Sequence, residues 1–551
     1  MKIQRIVLLV CLSMWVGWFC ARPAHAAEAE GEGRPKSGPG QGAAREARRA
    51  AEDREAQAFF DGPIRSFEIV VTPENYRSLR RDGRQPVPAT VRVGTNVFES
   101  VAIHIKGAAG SSRPIDDRPA LTLNFDKLKD GQTCFGLDKL HLNNSVQDGS
   151  FANEALASAM YLRQGVPTAR TTHALVKLNN RDLGLYVLKE GYSQMFIRRH
   201  FPKDTKGNLY DGGFVRDIHE PLKLDTGRGV TNHADLRSLL KNLNLPPKER
   251  QEALSKTLDV DRFLTTMALQ CLTDDWDGYG RNHNNYRLYI DTTGRATFIP
   301  HGMDQLFQDV DRSIRGGWSG VAAQRVFELP EMAERFRERI TTLSTNEFSA
   351  ARLVSEWTRI RERLRAGMEM SRPGEWRELD NNLGHFRRQL DVRAKVVANE
   401  IARWPRPPKP LAPGTVVPIA EWRKTPQQGQ STLDYSPPAG ETKKVFHLVA
   451  KGAGTVVSVR STTQVPAGHF MLKARARVKN VVAAGDQRGL GAGVRVSGGQ
   501  RTSKLEGTTD WTEVSFDFIR GEPGPVDLIL ELRANQGEAW FDADSIQLIA
   551  Q

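Results

Sequence analysis

The chain has 551 residues, 39% hydrophobic and 26% charged, with a formal net charge of +13 and four cysteines. Such a length needs more than one hydrophobic core, and four cysteines exclude a disulfide scaffold. The positive charge favours polyanionic partners, but Lys and Arg are interspersed with Asp and Glu and no aromatic–basic alternation is present, so nucleic acid is not an expected partner.

The first residues carry a basic start (Lys2, Arg5), an apolar run from Ile6 to Cys20, and Ala24-His25-Ala26 ahead of Ala27. This is the layout of a secretory signal peptide, residues 1–26, and the run is too short and interrupted to span a bilayer comfortably. The expected location is secreted, periplasmic or at the cell surface, with no transmembrane span after cleavage. Cys11 and Cys20 leave with the signal, and an oxidising compartment would allow Cys134 and Cys271 to pair. Residues 27–58 have almost no large apolar side chains. They read as a disordered tether with at most a short charged helix, because little burial is available to offset ordering entropy.

From Phe59 the pattern changes. Ser66–Val71, Ala89–Val93 and Val101–Ile105 alternate as strands. Phe151, Ala155, Leu156, Ala159 and Leu162 recur at helix spacing up to Gly165 and Pro167. Strands at His173–Leu178 and Gly184–Lys189 flank an Asn179-Asn-Arg-Asp turn. Helices dominate from residue 232, the clearest being 260–272 with Asp259 as N-cap and an apolar stripe from Val260 to Leu272. A polar loop, 274–285, follows and feeds a hairpin, Tyr286–Ile290 and Ala296–Ile299, before Arg- and Glu-rich helices run to 403. A proline-rich linker, 404–415, separates this domain, 59–403, from a β-sandwich over 416–551.

The loop 274–285 concentrates three acids, one His and three Asn, and Asp304 follows the hairpin. A helix, a loop with Asp and Asn, a hairpin and a second Asp can set two oxygen ligands and one base around a hard cation that leaves room for phosphate oxygens. Protein kinases use that order, a catalytic Asp followed by Asn and Asp on metal. An EF-hand reading fails, since Tyr279 and Tyr286 stand where its template needs an oxygen ligand and a Glu. A loop that merely caps helix ends is the other reading of these residues. Lys106 ends a strand just before Gly107-Ala-Ala-Gly-Ser-Ser, a string that offers backbone N–H groups to an anion without being a Walker loop. Glu154 is placed to steady that lysine or to lie on a helix surface.

Lys106-Gly-Ala-Ala-Gly-Ser-Ser, Lys139-Leu-His-Leu-Asn-Asn-Ser with Asp148-Gly-Ser, Gly184-Leu-Tyr-Val-Leu-Lys-Glu, Gly207-Asn-Leu-Tyr, Asp277-Gly-Tyr with Asn284-Asn-Tyr-Arg-Leu-Tyr, and Ile299-Pro-His-Gly-Met-Asp stand in one order along residues 66–400. In that order and spacing the chain resembles the CotH kinase-like family, the spore coat protein H type. The resemblance implies an α+β, atypical protein-kinase-like domain that uses ATP and Mg²⁺ or Mn²⁺ to phosphorylate Ser or Thr of exported proteins. It implies that Lys106 and Asp277 are catalytic, that Lys106, Tyr186, Glu190 and Phe298 bind the nucleotide, and that Asn284 or Asn285 with Asp304 holds metal. This chain departs from the family's Pro-Trp-Asp-x-Asp by having His301 and Gly302, which puts one metal ligand in question. The alternative is a non-catalytic cell-surface or matrix scaffold that binds glycan or partner proteins. The C-terminal segment resembles the jelly-roll modules of carbohydrate-active proteins, an all-β fold. Trp511 and Trp540 are there either polysaccharide-binding faces or core.

Overall fold

The computed structural model describes residues 39–551 apart from 109, 228, 230–231, 405–410, 426–427, 484–490 and 500–503. The expected signal peptide and half of the proline linker, 405–410, lie outside the described residues. The expected tether needs correction, because a helix, α1 (Pro39–Asp61), occupies its second half. Ala, Arg and Glu favour that helix locally, and Ala56, Phe59 and Phe60 are buried at its end.

The barrel that receives those phenylalanines is built from β1 (Arg65–Val70), α2 (Pro73–Arg81), β2 (Val87–Val93), β3 (Asn96–Lys106), β4 (Ala120–Asn124), β5 (Lys139–Asn143), α3 (Asn153–Arg163), β6 (Thr171–Leu178) and β7 (Arg181–Glu190). Its strands close in the order β1-β2-β3-β4-β5-β7-β6. Asn179 and Asn180 both adopt positive φ, the twist that a tight hairpin between β6 and β7 needs. Alternate residues fill the barrel, among them Phe67, Val91, Ile103, Leu121, Leu140, Val176 and Tyr186.

A helical lobe follows: α4 (Gln194–His200), β8 (Asn208–Asp211), β9 (Lys223–Gly227), α5 (Ala234–Leu243), α6 (Pro247–Thr257), α7 (Val260–Leu272), α8 (Tyr279–Asn282), β10 (Tyr286–Ile290), β11 (Ala296–Pro300), α9 (Val321–Phe327), α10 (Pro330–Asn346), α11 (Ala350–Ser371) and α12 (Pro373–Ala402). A four-stranded sheet of order β11-β10-β8-β9 puts Tyr210, Leu288 and Phe298 into the helical core and Leu209, Tyr289 and Ile299 against Tyr192, Phe196 and Ile197. Helix α7 starts where Asp259 accepts the Arg262 N–H, and from Phe263 to Leu272 every side chain is buried, so it anchors the loop that leaves its end.

The last domain is an all-β sandwich around Leu448, Phe470, Leu472, Val494, Leu530 and Phe541. Its strand Gly524–Asp542 changes partners midway, pairing with Thr455–Val465 over its first half and with Val445–Ala450 over its second, which bends one ladder around the core. Cys134 and Cys271 are free and buried; the pairing that an oxidising compartment would allow does not form, since Cys134 lies in the barrel core and Cys271 in the helical one. Among the described residues no helix is long and apolar enough to cross a membrane.

Candidate active site

The barrel supplies one wall of a cleft through the two-residue period of its strands. Ile103, Ile105, Leu121, Leu123, Leu140 and Leu142 point into the barrel. Their neighbours, Ala102, His104 and Lys106 on β3, Ala120, Thr122 and Asn124 on β4, and Lys139, His141 and Asn143 on β5, line a cleft of about 580 Å³. That volume falls in the range of small-molecule sites, roughly 300–1,000 Å³. Arg84 and Lys127 add to the wall. Burial, then the charge of Lys127, pushes His104 down to about 4, and burial lowers His141 well below its ordinary range, so the cations of this wall are lysines and arginine, not histidines.

The opposite wall comes from the loop after α7. Asp274, at φ 51°, is buried and pinned: its carboxylate accepts from Arg312 Nε at 2.6 Å and from the Asp309 N–H at 2.7 Å. Asp275 is buried as well, and desolvation with Asp277 next to it pushes its carboxyl up to about 8. Of the three loop acids only Asp277 lines the cleft. Three amides orient it, Asn282 Nδ2 at 2.6 Å and Asn284 Nδ2 at 3.1 Å donating to Oδ1, and Asn285 Nδ2 at 2.8 Å donating to Oδ2. Asn285 holds φ 46° and Gly302 holds φ 64°. A Cβ at position 302 would come within 2.6 Å of Asn285 Oδ1, so the glycine is what lets Asn285 lie where it does. Asp304 follows, buried enough, and close enough to Glu154, for its carboxyl to rise to about 7.

From the cleft face of the barrel wall a polar chain runs inward to buried Glu154 and Lys189. Lys106 Nζ donates to Asn143 Oδ1, Asn143 Nδ2 donates to Glu154 Oε2 at 2.6 Å, and Lys189 Nζ pairs directly with Glu154 Oε1. Glu154 is therefore no surface carboxylate, and the lysine it steadies directly is Lys189, not Lys106. Burial, then repulsion from Lys189, brings Lys106 down to about 8.

Lys106, Asp277, Asn284, Asn285 and Asp304 thus meet in one cleft. Tyr186, Glu190 and Phe298 do not. Tyr186 is fully buried on the barrel side, its hydroxyl donating to Pro119 O at 3.0 Å. Glu190 is sequestered with Arg170 at 3.2 Å and with Arg199. Phe298 packs against Phe263 and Tyr279 at centroid distances of 5.2 and 4.3 Å. All three obey the burial demands of strands that the motif order alone cannot orient. Besides His104 and His141 of the barrel wall, the rings that line the cleft are Tyr192, Phe214 and His301, with Tyr192 and His301 at a centroid distance of 6.0 Å. Arg287 lies over Tyr192 at 4.4 Å and is held by Asp211 at 3.3 Å and by Asp225. Tyr192 stands just past the end of β7, where strand period gives no signal.

Among the described residues no three His, Cys, Asp or Glu side chains are grouped to hold a metal. The Asn284 oxygen already accepts the Val215 N–H at 3.1 Å, so of the two expected amide ligands Asn285 has the freer oxygen. Asn285 Oδ1, turned toward Gly302, and the Asp304 carboxylate are the pair favoured. Two such oxygens fit a hard cation of the Mg²⁺ type, which binds through one or two side chains and keeps its other positions for water and phosphate.

The CotH kinase protein family model matches residues 103–401. An inner spore coat protein H of Bacillus subtilis (strain 168) is 23% identical over 327 residues, covering 54% of this chain and 86% of that protein. Among solved structures, the proinflammatory kinase CtkA of Helicobacter pylori, 11% identical, aligns with 55% of this chain and 98% of its own at a TM-score of 0.26. TmCBM61 in complex with β-1,4-galactotriose, 13% identical, aligns with 24% of this chain and 90% of its own at a TM-score of 0.19.

Proposed function

The chain belongs to the CotH kinase protein family, and on that premise we propose that it is an exported kinase that transfers phosphate from ATP to Ser or Thr hydroxyls of other exported proteins. The observation that supports this most is the convergence of Lys106, Asp277, Asn285 and Asp304 on one cleft. In this reading Asp277, held by three amides, accepts the proton of the acceptor hydroxyl and fixes its approach. Lys106 faces the phosphates of the nucleotide. Asn285 and Asp304 would hold Mg²⁺ or Mn²⁺, which would supply charge neutralisation on the phosphates. His301, half-buried at the cleft, offers a ring face for the base, with Tyr192 packed against it.

A second reading, a non-catalytic surface scaffold, draws on Gly302, which leaves the floor with one carboxylate fewer than the family pattern. Incubating the full chain with labelled ATP and Mg²⁺ or Mn²⁺, beside Asp304→Ala, separates the two. Label transferred to protein and lost in the variant supports the kinase; neither transfer nor metal-dependent ATP binding leaves the scaffold.

We also propose that the sandwich carries the enzyme to a polysaccharide surface. Trp540 is not the contact, being buried and stacked on His447 at 4.7 Å. Trp511 is half-buried, with Lys443 over its ring at 4.5 Å and Glu441 accepting its N–H at 3.0 Å. Trp511→Ala should lose retention on an insoluble polysaccharide that the parent chain binds.

A further inference from the structure

Two lysines reach toward one carboxylate in this domain, and they reach it differently. Lys189 pairs directly with Glu154, and both side chains are sealed, at 5% and 2% exposure. Glu154 Oε1 also accepts the Met303 N–H at 3.3 Å. Neither Lys189 nor Glu154 lines the cleft. Lys106 is half-buried and does line it. It makes no ion pair among the described residues; its ammonium meets the amide oxygen of Asn143, whose Nδ2 in turn donates to Glu154 Oε2 at 2.6 Å.

A buried carboxylate must keep a counter-ion whether or not ligand is present. Lys189 fills that role permanently. A direct pair with Glu154 would neutralise Lys106 as well, whereas an amide between them passes on only a dipole and a fixed direction. Resting on the kinase reading above, we propose that Asn143 is a positioning residue that divides the work of the two lysines: Lys189 serves as the standing counter-ion of Glu154, and Asn143 aims Lys106 at the nucleotide phosphates while keeping it unpaired. Consistent with this division, Lys189 is shifted up with Glu154 among its causes while Lys106 is shifted down.

The test uses the full chain as Lys189→Met, Lys189→Arg, Lys106→Met, Asn143→Leu and the double variant Asn143→Leu/Lys106→Met. Melting is measured without nucleotide, and ATP–Mg²⁺ affinity by titration calorimetry. Lys189→Met orphans a buried charge and should lower Tm by about 5 °C or more or fail to fold, while Lys189→Arg melts near the parent. Lys106→Met should melt within about 2 °C of the parent yet bind ATP–Mg²⁺ at least about tenfold more weakly, the worth of one charge-assisted contact. Asn143→Leu should weaken binding about fivefold in the parent and not at all in the Lys106→Met background, since coupled neighbours do not add. Equal melting losses for Lys106→Met and Lys189→Met, or additive affinity losses in the double variant, overturn the relay alone. Failure of the parent chain to bind ATP–Mg²⁺ overturns the kinase reading and, with it, the phosphate role of Lys106.

Discussion

The two walls of the cleft are built on opposite principles. The barrel wall takes most of its polar groups from three adjacent strands, β3 to β5, whose ladder over Ala102–Lys106, Ala120–Asn124 and Lys139–Asn143 fixes every second side chain without a positive φ. It is basic, with Lys106 and Lys139 on the ladder and Arg84 and Lys127 on turns beside it. The opposite wall is acid and amide, and its residues stand on irregular backbone, with positive φ at Asp274, His283, Asn285 and Gly302. Such conformations persist only when the surroundings over-determine them; here the pins are Asp274 to Arg312 and the Asn285 carbonyl, which accepts the His301 N–H at 3.1 Å. Charge that only has to attract sits on a rigid ladder. Groups that must meet reacting atoms sit on a shaped loop, and the loop should therefore be the less tolerant wall.

The largest effect expected on that wall is from Asp277→Asn. Phosphate transfer should fall by about 10²–10⁴-fold, the usual worth of a positioned base, with ATP–Mg²⁺ affinity nearly unchanged; a matching loss of affinity would assign Asp277 to binding instead. Asp304→Asn should also stop metal-dependent transfer, but it should stabilise the fold. The Asp304 carboxyl, raised to about 7 by burial and by Glu154, binds its proton more tightly folded than unfolded. Between roughly pH 4 and 7 the folded state then holds more protons, so this group lowers stability as pH rises through that window. Asp304→Asn removes that cost, and its Tm advantage over the parent should grow from nothing near pH 4 to a few degrees near pH 7. An advantage independent of pH would locate the stabilisation elsewhere.

Gly302→Asp sharpens the contrast by restoring the residue type of the family pattern. The new Cβ meets Asn285 Oδ1 at 2.6 Å, on a backbone of φ 64°, so Asn285 must move. Metal-dependent ATP affinity should drop by about tenfold, one displaced charge-assisted contact. A gain would mean that the wall accepts a second carboxylate and that Asn285 does not place the metal-facing oxygen.

How much of this was legible differs in the same way between the walls. The alternation of Val101–Ile105 gave the strand, and Lys106 at its end fell on the cleft because strand parity carries over from sequence to face. Asp277, Asn285 and Asp304 came through motif order. Tyr186 and Phe298 failed because period tells which residues share a face and not which face is core: Tyr186 sits opposite Ala174 inside the barrel, and Phe298 turns toward α7. Glu190 failed because its partners, Arg170 and Arg199, are set by folding and not by spacing. The Lys189–Glu154 pair joins residues 35 apart and left no local signature. Helix α1 reads as tether because its large apolar residues, Phe59 and Phe60, come only in its last turns, buried with Ala56, too few to show a stripe.

Tyr186→Phe carries the smallest expected effect and tests the boundary of the site. Its hydroxyl donates to Pro119 O at 3.0 Å inside a closed core, and Arg118 lies over the ring at 5.1 Å. Losing the hydroxyl leaves one buried carbonyl unpaired, a cost of about 1–2 kcal/mol, read as a Tm lower by a few degrees. The KM for ATP should not move, because the ring faces the barrel interior and the cleft is lined by the residues of opposite parity on β3 to β5. Tyr192→Ala, only a few positions later but inside the cleft, should raise that KM. A change in KM from Tyr186→Phe, matched by none from Tyr192→Ala, would turn the barrel wall inside out and place the nucleotide on its other face.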